Sequence, residues 1–132
     1  MKEYTFELEM KVRDYECDIQ GIVNNSNYQC YMEHTRHEFL LSEGVSFADL
    51  HNQGIDAVVA RVDIQFKASL RPGDVFISKL SMTKEGLRLV FLQRIYRKED
   101  MKLCTKGRVE TVIVKDGELT RGELFDELFD LQ

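Results

Sequence analysis

An aspartate shortly before a predicted helix start is the feature of this sequence best suited to chemistry. Asp18 precedes the polar run Asn24–Asn27, whose short side chains favour a helix N-terminus because they cap the first backbone N–H groups. A carboxylate acts as a general base or a nucleophile, and N-terminal N–H groups stabilise a developing negative charge. The arrangement predicts a site where a carbonyl carbon is attacked, although an isolated aspartate before a helix is more often a cap or a turn residue.

The three cysteines offer a second nucleophile but no metal site. Cys17, Cys30 and Cys104 show neither CxxC nor Cys/His ligand spacing, so the simplest interpretation is three reduced thiols. Cys17, next to Asp18, is an alternative nucleophile, yet no Cys/His pair can be placed from the sequence. No metal or redox cofactor is implied.

A band of charged side chains occupies the middle of the predicted helix. One interpretation is a solvated face with pairs four residues apart, such as Glu33 with His37. The other is that some of these groups line a pocket at a subunit contact, because a helix wrapped by a sheet has little solvated face. The band consists of Glu33, His34, Arg36, His37 and Glu38.

The spacing of apolar residues predicts a strand before Asp18 and a helix after it. Apolar residues from Tyr4 to Val12 alternate with charged ones, which predicts a strand with one buried face. From Asn27 the spacing changes to three and four, which predicts one long helix ending near Gly44. Its apolar stripe contains Tyr28, Tyr31, Met32, Thr35 and Phe39.

The remaining chain predicts four more strands. These strands cover residues 60–68 and about 75–82, 87–97 and 103–114. A connection over 46–54 precedes the first of them, and a turn at Arg71–Asp74 follows it. A short amphipathic helix is predicted over 123–131. The order β-α-β-β-β-β and the short connections favour an α+β fold, a single domain over 1–132 in which an antiparallel sheet wraps around one helix.

The composition of the chain argues against two classes of partner, nucleic acids and the membrane interior. The net charge of −5 and the pI of about 5.2 argue against a nucleic-acid binder, which needs clustered Lys and Arg. No apolar run approaches the roughly 20 residues that span a bilayer, and the first residues show no apolar signal-peptide core. We therefore expect no membrane span and a cytoplasmic protein.

The run from Val12 to Tyr28 resembles the signature of the 4-hydroxybenzoyl-CoA thioesterase family of hotdog proteins. The likeness continues along the helix to Phe39 and includes the turn Arg71–Asp74. It implies a hotdog fold, the same sheet wrapped around one central helix. The signature is carried by Asp18, Gly21, Val23, Asn27 and Tyr28.

This resemblance also implies an activity, the hydrolysis of an acyl-CoA or acyl-carrier-protein thioester to a free acid and a thiol. Asp18 would be the general base or the nucleophile, and the main-chain N–H of Asn25 would polarise the carbonyl. Gly21 would let the loop turn tightly beside the substrate. A homodimer or homotetramer is implied as well.

Other substrate contacts follow from the same resemblance. Val23, Asn27 and Tyr28 would support the motif beside the substrate, and the CoA phosphates would be met by Lys84 and Arg88.

Three questions stay open at this stage. Many relatives carry an aromatic residue and a histidine where this chain has Asn24 and Asn25, so the acyl group is undetermined. A hotdog dehydratase or hydratase using His34 and His37 is one alternative activity. A binding module that holds acyl thioesters without hydrolysing them is the other.

Overall fold

The strands form one antiparallel sheet in the computed structural model, which describes residues 6–129. The sheet order is β1-β3-β4-β5-β2, and the short β6 pairs with the end of β5. The arrangement confirms the expected antiparallel sheet with one long helix. The strands are β1 Phe6–Lys11, β2 Ile55–Phe66, β3 Val75–Glu85, β4 Arg88–Arg97, β5 Lys102–Lys115 and β6 Glu118–Leu119.

The long helix α1, Asn25–Ser42, lies against the concave face of this sheet. Its predicted apolar stripe, from Tyr28 to Phe39, is buried throughout, because spacings of three and four place those side chains on one side. The helix approaches β5 closely at Gly107, where an added Cβ would lie 2.8 Å from Met32 Sδ. Glycine at this position therefore lets α1 settle onto the sheet.

Two parts of the fold differ from the sequence expectation. The connection predicted over 46–54 contains a short helix α2, Phe47–Asn52, capped by Ser46 and anchored by the buried Leu50. Strand β2 starts at Ile55 rather than near residue 60. The pairing of β2 with β5 shifts between Val59 and Arg61, so the alternation changes phase there and concealed the first part of the strand.

The C-terminal helix α3, Glu123–Phe129, confirms the predicted tail helix as far as the structure describes it. Phe125 is fully buried in the same core as Phe39, Leu80 and Phe91. The predicted end of this helix at residue 131, and Tyr4 of the first predicted strand, lie outside the described residues.

Helix α1 packs on β1 and β3 and leaves β2 poorly covered. Strand β2 ends the sheet order, and several of its apolar side chains are exposed, with Val59 and Phe66 at 44% and 48%. A groove therefore separates α1 from β2. Within residues 6–129, no helix is both long and apolar enough to cross a membrane.

Candidate active site

Asp18 lies in a tight loop directly before α1. Cys17 and Val23 form an antiparallel bridge at the base of the loop, and the Asp18 N–H donates to the Ile22 carbonyl at 2.8 Å. The Gly21 N–H in turn donates to the Asp18 carbonyl at 3.0 Å. Gly21 has φ +78°, a conformation that costs glycine little. Gly21 therefore allows the chain to turn tightly here, and its approach to a substrate stays a prediction.

Only one oxygen of the Asp18 carboxylate accepts a hydrogen bond within this loop. One oxygen, Oδ1, accepts the Gln20 N–H at 2.8 Å, and the side chain is partly exposed. No cation of residues 6–129 forms a salt bridge with it. An accessible carboxylate oxygen thus remains for contact with a bound molecule.

Helix α1 begins beside this loop, as the sequence predicted. Asn24 is the N-cap, and its Oδ1 accepts the Ser26 N–H at 3.0 Å. Asn25 is the first helical residue, and its N–H has no intrahelical acceptor. None of the backbone hydrogen bonds within residues 6–129 uses it either. This N–H is available for an oxygen atom of a ligand.

Glu16, which the sequence analysis did not single out, ties the loop to the helix. Its buried carboxylate accepts the Tyr31 hydroxyl at 2.9 Å and the Arg13 N–H at 2.8 Å. Its carbonyl accepts the Asn27 side-chain amide at 2.7 Å and the Asn24 N–H at 3.1 Å. Burial and the adjacent Glu16 raise the pKa of Tyr31, so the hydroxyl stays protonated and donates. No local pattern could have revealed a partner fifteen residues away.

The other motif residues, Val23, Asn27 and Tyr28, anchor the Asp18 loop to the rest of the fold. Val23 and Tyr28 are buried, and both bond to Leu70: the Val23 N–H donates to its carbonyl at 2.9 Å, and the Leu70 N–H donates to Tyr28 Oη at 3.1 Å. Asn27 bonds to Glu16 as described. The structure brings all three together around the Asp18 loop.

Cys17 is poorly suited to nucleophilic attack. Desolvation raises the pKa of its thiol, and the neighbouring acids Asp14, Asp18 and Glu16 raise it further. The thiolate is the reactive form, so these surroundings disfavour nucleophilic attack by Cys17.

The groove between α1 and β2 begins next to the helix start. It consists of two adjoining pockets of about 380 Å³ and 400 Å³ that share Glu33, Arg36 and Val59. The first pocket has Ser26 and Cys30 of α1 on one side and apolar residues of β2 on the other. Its size and apolar walls suit a small organic group.

The charged band on α1 divides between solvent and this groove. The pair that forms is His34 with Glu38 at 3.8 Å, so the predicted pairing of Glu33 with His37 is wrong. The His37 ring instead packs on Phe47 at 4.6 Å between ring centres. Glu33 and His37 both line the groove, which supports the pocket interpretation for these residues.

Lys84 and Arg88 lie far from Asp18 within one chain. The start of β3 is beside the loop, since the Val12 N–H donates to the Asp74 carbonyl, and Lys84 is roughly 30 Å further along the strand at 3.3 Å per residue. Lys84 Nζ contacts Asp126 Oδ1 at 2.8 Å, and Arg88 Nη1 contacts Glu110 Oε1 at 2.8 Å. One chain does not bring these two cations and Asp18 together.

The described part of the chain contains no group of three or more His, Cys, Asp and Glu side chains that could hold a metal ion. The chemistry that the site offers comes from a carboxylate, a backbone donor and an apolar pocket. This combination fits attack on an activated carbonyl with stabilisation of the resulting oxyanion.

Comparison with known proteins agrees with this interpretation. Residues 12–127 match the family model described as thioesterase-like superfamily. A chloroplastic acyl-acyl carrier protein thioesterase of Arabidopsis thaliana is 42% identical over 92 residues, 69% of this chain and 48% of that protein. The chain spans about half the length of the Arabidopsis relatives that it matches.

Solved structures show the same fold. The DHNA-CoA thioesterase of Staphylococcus aureus superposes with a TM-score of 0.84 at 25% identity, covering 94% of this chain and 87% of that one. The 1,4-dihydroxy-2-naphthoyl-CoA thioesterase of Synechocystis has a TM-score of 0.83 at 19% identity over 87% of each chain. The family match over most of the sequence and the shared sheet and helix confirm the resemblance first seen between Val12 and Tyr28, and the chain belongs to the thioesterase-like superfamily of hotdog-fold proteins.

Proposed function

We propose that this chain hydrolyses an acyl thioester to a free acid and a thiol, with Asp18 as its catalytic carboxylate. The observation that carries the proposal is that the loop holding Asp18, which leaves one carboxylate oxygen without a partner in residues 6–129, leads directly into α1, whose first N–H at Asn25 has no acceptor there. The family match supports the same chemistry.

In the first possible route Asp18 is a general base. It takes a proton from water while the water oxygen adds to the thioester carbon, and the oxyanion that forms accepts the Asn25 N–H. The C–S bond then breaks, and the thiolate leaves with the proton held by Asp18. The helix N-terminus stabilises the oxyanion because its unsatisfied N–H groups carry partial positive charge.

In the second route Asp18 is the nucleophile. Its carboxylate oxygen attacks the thioester carbon, the thiolate leaves, and a mixed anhydride links Asp18 to the acyl group. Water then hydrolyses the anhydride. In a single turnover in heavy-oxygen water, label in the Asp18 side chain identifies the second route, because only water attack on the Asp18 carboxyl carbon of the anhydride places it there.

The substrate proposal follows from the pocket next to the helix start. An acyl group bound there would lie between α1 and Val59, Val62 and Ile64 of β2, and burying it would supply binding energy. The thiol carrier is either CoA or acyl carrier protein. The Staphylococcus relative is named for a CoA thioester and the Arabidopsis relative for an acyl-carrier-protein thioester.

The test is release of free thiol from a panel of acyl-CoA and acyl-carrier-protein thioesters, together with hydration of an enoyl-CoA. We expect thiol release, and we expect Asp18→Asn to lower kcat by about 10²- to 10⁴-fold, the usual contribution of such a group. Asp14→Asn is the matched control, since Asp14 is an exposed acid four residues earlier in the same segment.

Three results would contradict the proposal. Thiol release that survives in Asp18→Asn would remove Asp18 from the mechanism. Hydration of enoyl-CoA without thiol release would favour the dehydratase alternative, for which His34 and His37 are the available histidines. Saturable binding without any turnover would favour the binding module.

The proposed assembly is a homodimer or homotetramer that uses the free edge of β2, because an uncovered strand edge offers unpaired backbone groups to a second copy. Lys84 and Arg88 stay candidates for the CoA phosphates within such an assembly. A rise in KM for acyl-CoA in Lys84→Met, with kcat unchanged, is the result that would support this role. The cytoplasmic location also stays a prediction.

A further inference from the structure

Arg36 of α1 is a buried cation that has one neutral hydrogen-bond acceptor in the described part of the chain. The residue is 8% exposed, and its Nη1 donates to Gln93 Oε1 at 2.9 Å. Its guanidinium carbon lies 6.0 Å from the centre of the Phe91 ring. A guanidinium has five N–H donors, so a single amide oxygen leaves most of them without a protein partner within residues 6–129.

The charge of Arg36 is poorly compensated within one chain. Removing a cation from water without an opposite charge is unfavourable. Burial lowers the pKa of Arg36, and the charge of Glu33 opposes that change. Glu33 is exposed and forms no salt bridge with any residue of 6–129, so water weakens its effect on the guanidinium. The site therefore favours an anionic ligand over a neutral one.

The guanidinium belongs to the groove that would receive the acyl group. Arg36 lines both pockets of the α1–β2 groove, and among the described residues that line the first pocket it is the one cation. The opposite side of that pocket is formed by Val59, Val62 and Ile64 of β2. Methylene groups suit this apolar wall, and a carboxylate suits the position beside Arg36.

The position of the guanidinium along α1 sets the length of such a ligand. Gln93, which accepts from Arg36, also donates through Nε2 to the Met32 carbonyl at 3.0 Å, so the guanidinium lies near the level of Met32. Met32 follows Asn25 by seven residues, which is roughly 10 Å along the helix axis at 1.5 Å per residue. A chain of several methylene groups covers this distance.

We propose that Arg36 binds the free carboxylate of a dicarboxylic acyl group, so that the substrate is the half-thioester of a medium-chain dicarboxylic acid. The inference rests on the hydrolysis proposed above and names its acyl group. The thioester carbonyl lies at the Asn25 N–H, and the methylene chain runs along β2. The distal carboxylate accepts the remaining guanidinium N–H groups, and hydrolysis by one water yields the free diacid and the thiol.

A carboxylate fits this position better than a hydroxyl or a carbonyl oxygen. Gln93 already supplies Arg36 with a neutral oxygen, and a second one would leave the buried charge uncompensated. A carboxylate compensates the charge and matches the two parallel N–H groups of a guanidinium. Glu33 lines the same groove, and its negative charge opposes a second anion there.

The experiment compares kcat/KM for CoA thioesters whose acyl chains are equally long and end in a methyl, hydroxyl or carboxylate group. We expect a preference for the carboxylate end over the methyl end. Arg36→Met should lower the ratio of these two values at least about 30-fold, as when one member of a buried charged pair is removed, and Glu33→Gln should raise it. Arg61→Met is the matched control and should keep the ratio, because Arg61 is an exposed cation of β2 that lines neither pocket.

A second variant tests the same contact without removing Arg36. Gln93→Glu places a carboxylate where Arg36 now meets an amide oxygen. The guanidinium charge is then compensated within the chain, and the preference for the carboxylate end should fall at least about tenfold. Circular dichroism verifies that each variant is folded, and Gln93→Glu decides the question if Arg36→Met does not fold.

A binding measurement separates this inference from the proposed hydrolysis. CoA thioethers, in which a methylene group replaces the thioester carbonyl, are not hydrolysed, and calorimetric titration gives their Kd. The thioether with a carboxylate end should bind more tightly than the one with a methyl end, and Arg36→Met should remove the difference. If that result came with no thiol release from any thioester, it would contradict the hydrolysis and not the Arg36 contact.

Several outcomes would overturn the Arg36 contact. These are equal kcat/KM for chains with a hydroxyl and a carboxylate end, a ratio that both Arg36→Met and Gln93→Glu leave in place, or an equal loss in Arg61→Met. Thiol release from methyl-ended thioesters with no preference for the carboxylate end would contradict the contact and leave the hydrolysis standing.

Discussion

The two faces of α1 differ in how their polar atoms are satisfied. On the face toward the sheet, the Tyr28 and Tyr31 hydroxyls bond to Leu70 and Glu16, and the Thr35 hydroxyl lies 2.7 Å from that of Ser78. On the groove face, Arg36 has one neutral acceptor and Glu33 has no salt bridge within residues 6–129. The first face is complete within one chain, and the second has the composition of a surface that something else completes.

This difference separates stability from binding. A buried polar group that loses its partner costs free energy of unfolding, because it is desolvated without compensation. An exposed polar group in the groove, such as Glu33, keeps contact with water, so its loss affects mainly what binds there. Variants on the two faces should therefore differ in the quantity that changes.

The largest effect on stability should come from Glu16→Ala, which tests the sheet face. It leaves the buried Tyr31 hydroxyl and the Arg13 N–H without acceptors, and we expect the free energy of unfolding to fall by about 2 kcal/mol or more. Urea denaturation measures it. The control is Glu43→Ala, an exposed acid at the end of α1, for which we expect a change within about 0.5 kcal/mol. Equal losses in the two variants would mean that the Glu16 contacts contribute little.

A smaller loss of stability is expected from Tyr28→Phe, which tests a hydrogen bond between two uncharged groups on the sheet-facing side of α1. The change removes the oxygen that accepts the Leu70 N–H, and the loss should be about 1 kcal/mol because both partners are uncharged. Thermal or urea unfolding gives the value. Tyr15→Phe, at a side chain that is 78% exposed, should leave stability unchanged; a similar loss there would show that the Tyr28 bond is not the cause.

The smallest effect should be the pH dependence contributed by His37 on the groove face. Burial lowers its pKa below the ordinary value, against the opposing effect of Glu33 and with contributions from Arg36, His34 and Glu38. Near neutral pH the unfolded chain then binds the proton more readily than the folded one, so stability falls as the pH falls toward the lowered pKa.

The measurement is the unfolding midpoint between about pH 7.5 and 5.5, the range in which histidine titrates. His37→Gln should flatten this dependence, whereas His34→Gln should leave it in place. A dependence that persists unchanged in His37→Gln would assign it to other groups.

Local patterns predicted much of the fold and the centre of the candidate site. The alternation in β1, the stripe of α1 and the Asn24 cap depend on neighbours within a few residues, and all three are confirmed. The early start of β2 was missed because the register shift after Val59 changes the phase of the pattern. Helix α2 was missed because its six residues are too few to show a helical repeat of apolar side chains.

Partners distant in the chain could not be predicted. Glu16 joins Tyr31, Asn24 and Asn27 only after the loop folds back on α1. Lys84 has the composition of a phosphate-binding residue in the sequence, yet in the fold its Nζ bonds to Asp126 and to the Arg121 carbonyl.

Short-range spacing and one contiguous motif were enough to predict the family, the sheet with its long helix, and the position of Asp18 shortly before a helix start. Which polar groups are satisfied internally and which face a groove depends on the folded chain. Satisfaction of a charge depends on atoms brought together from separate strands and helices, such as Arg36 with Gln93. The difference between the two faces of α1 therefore became visible only in the folded chain.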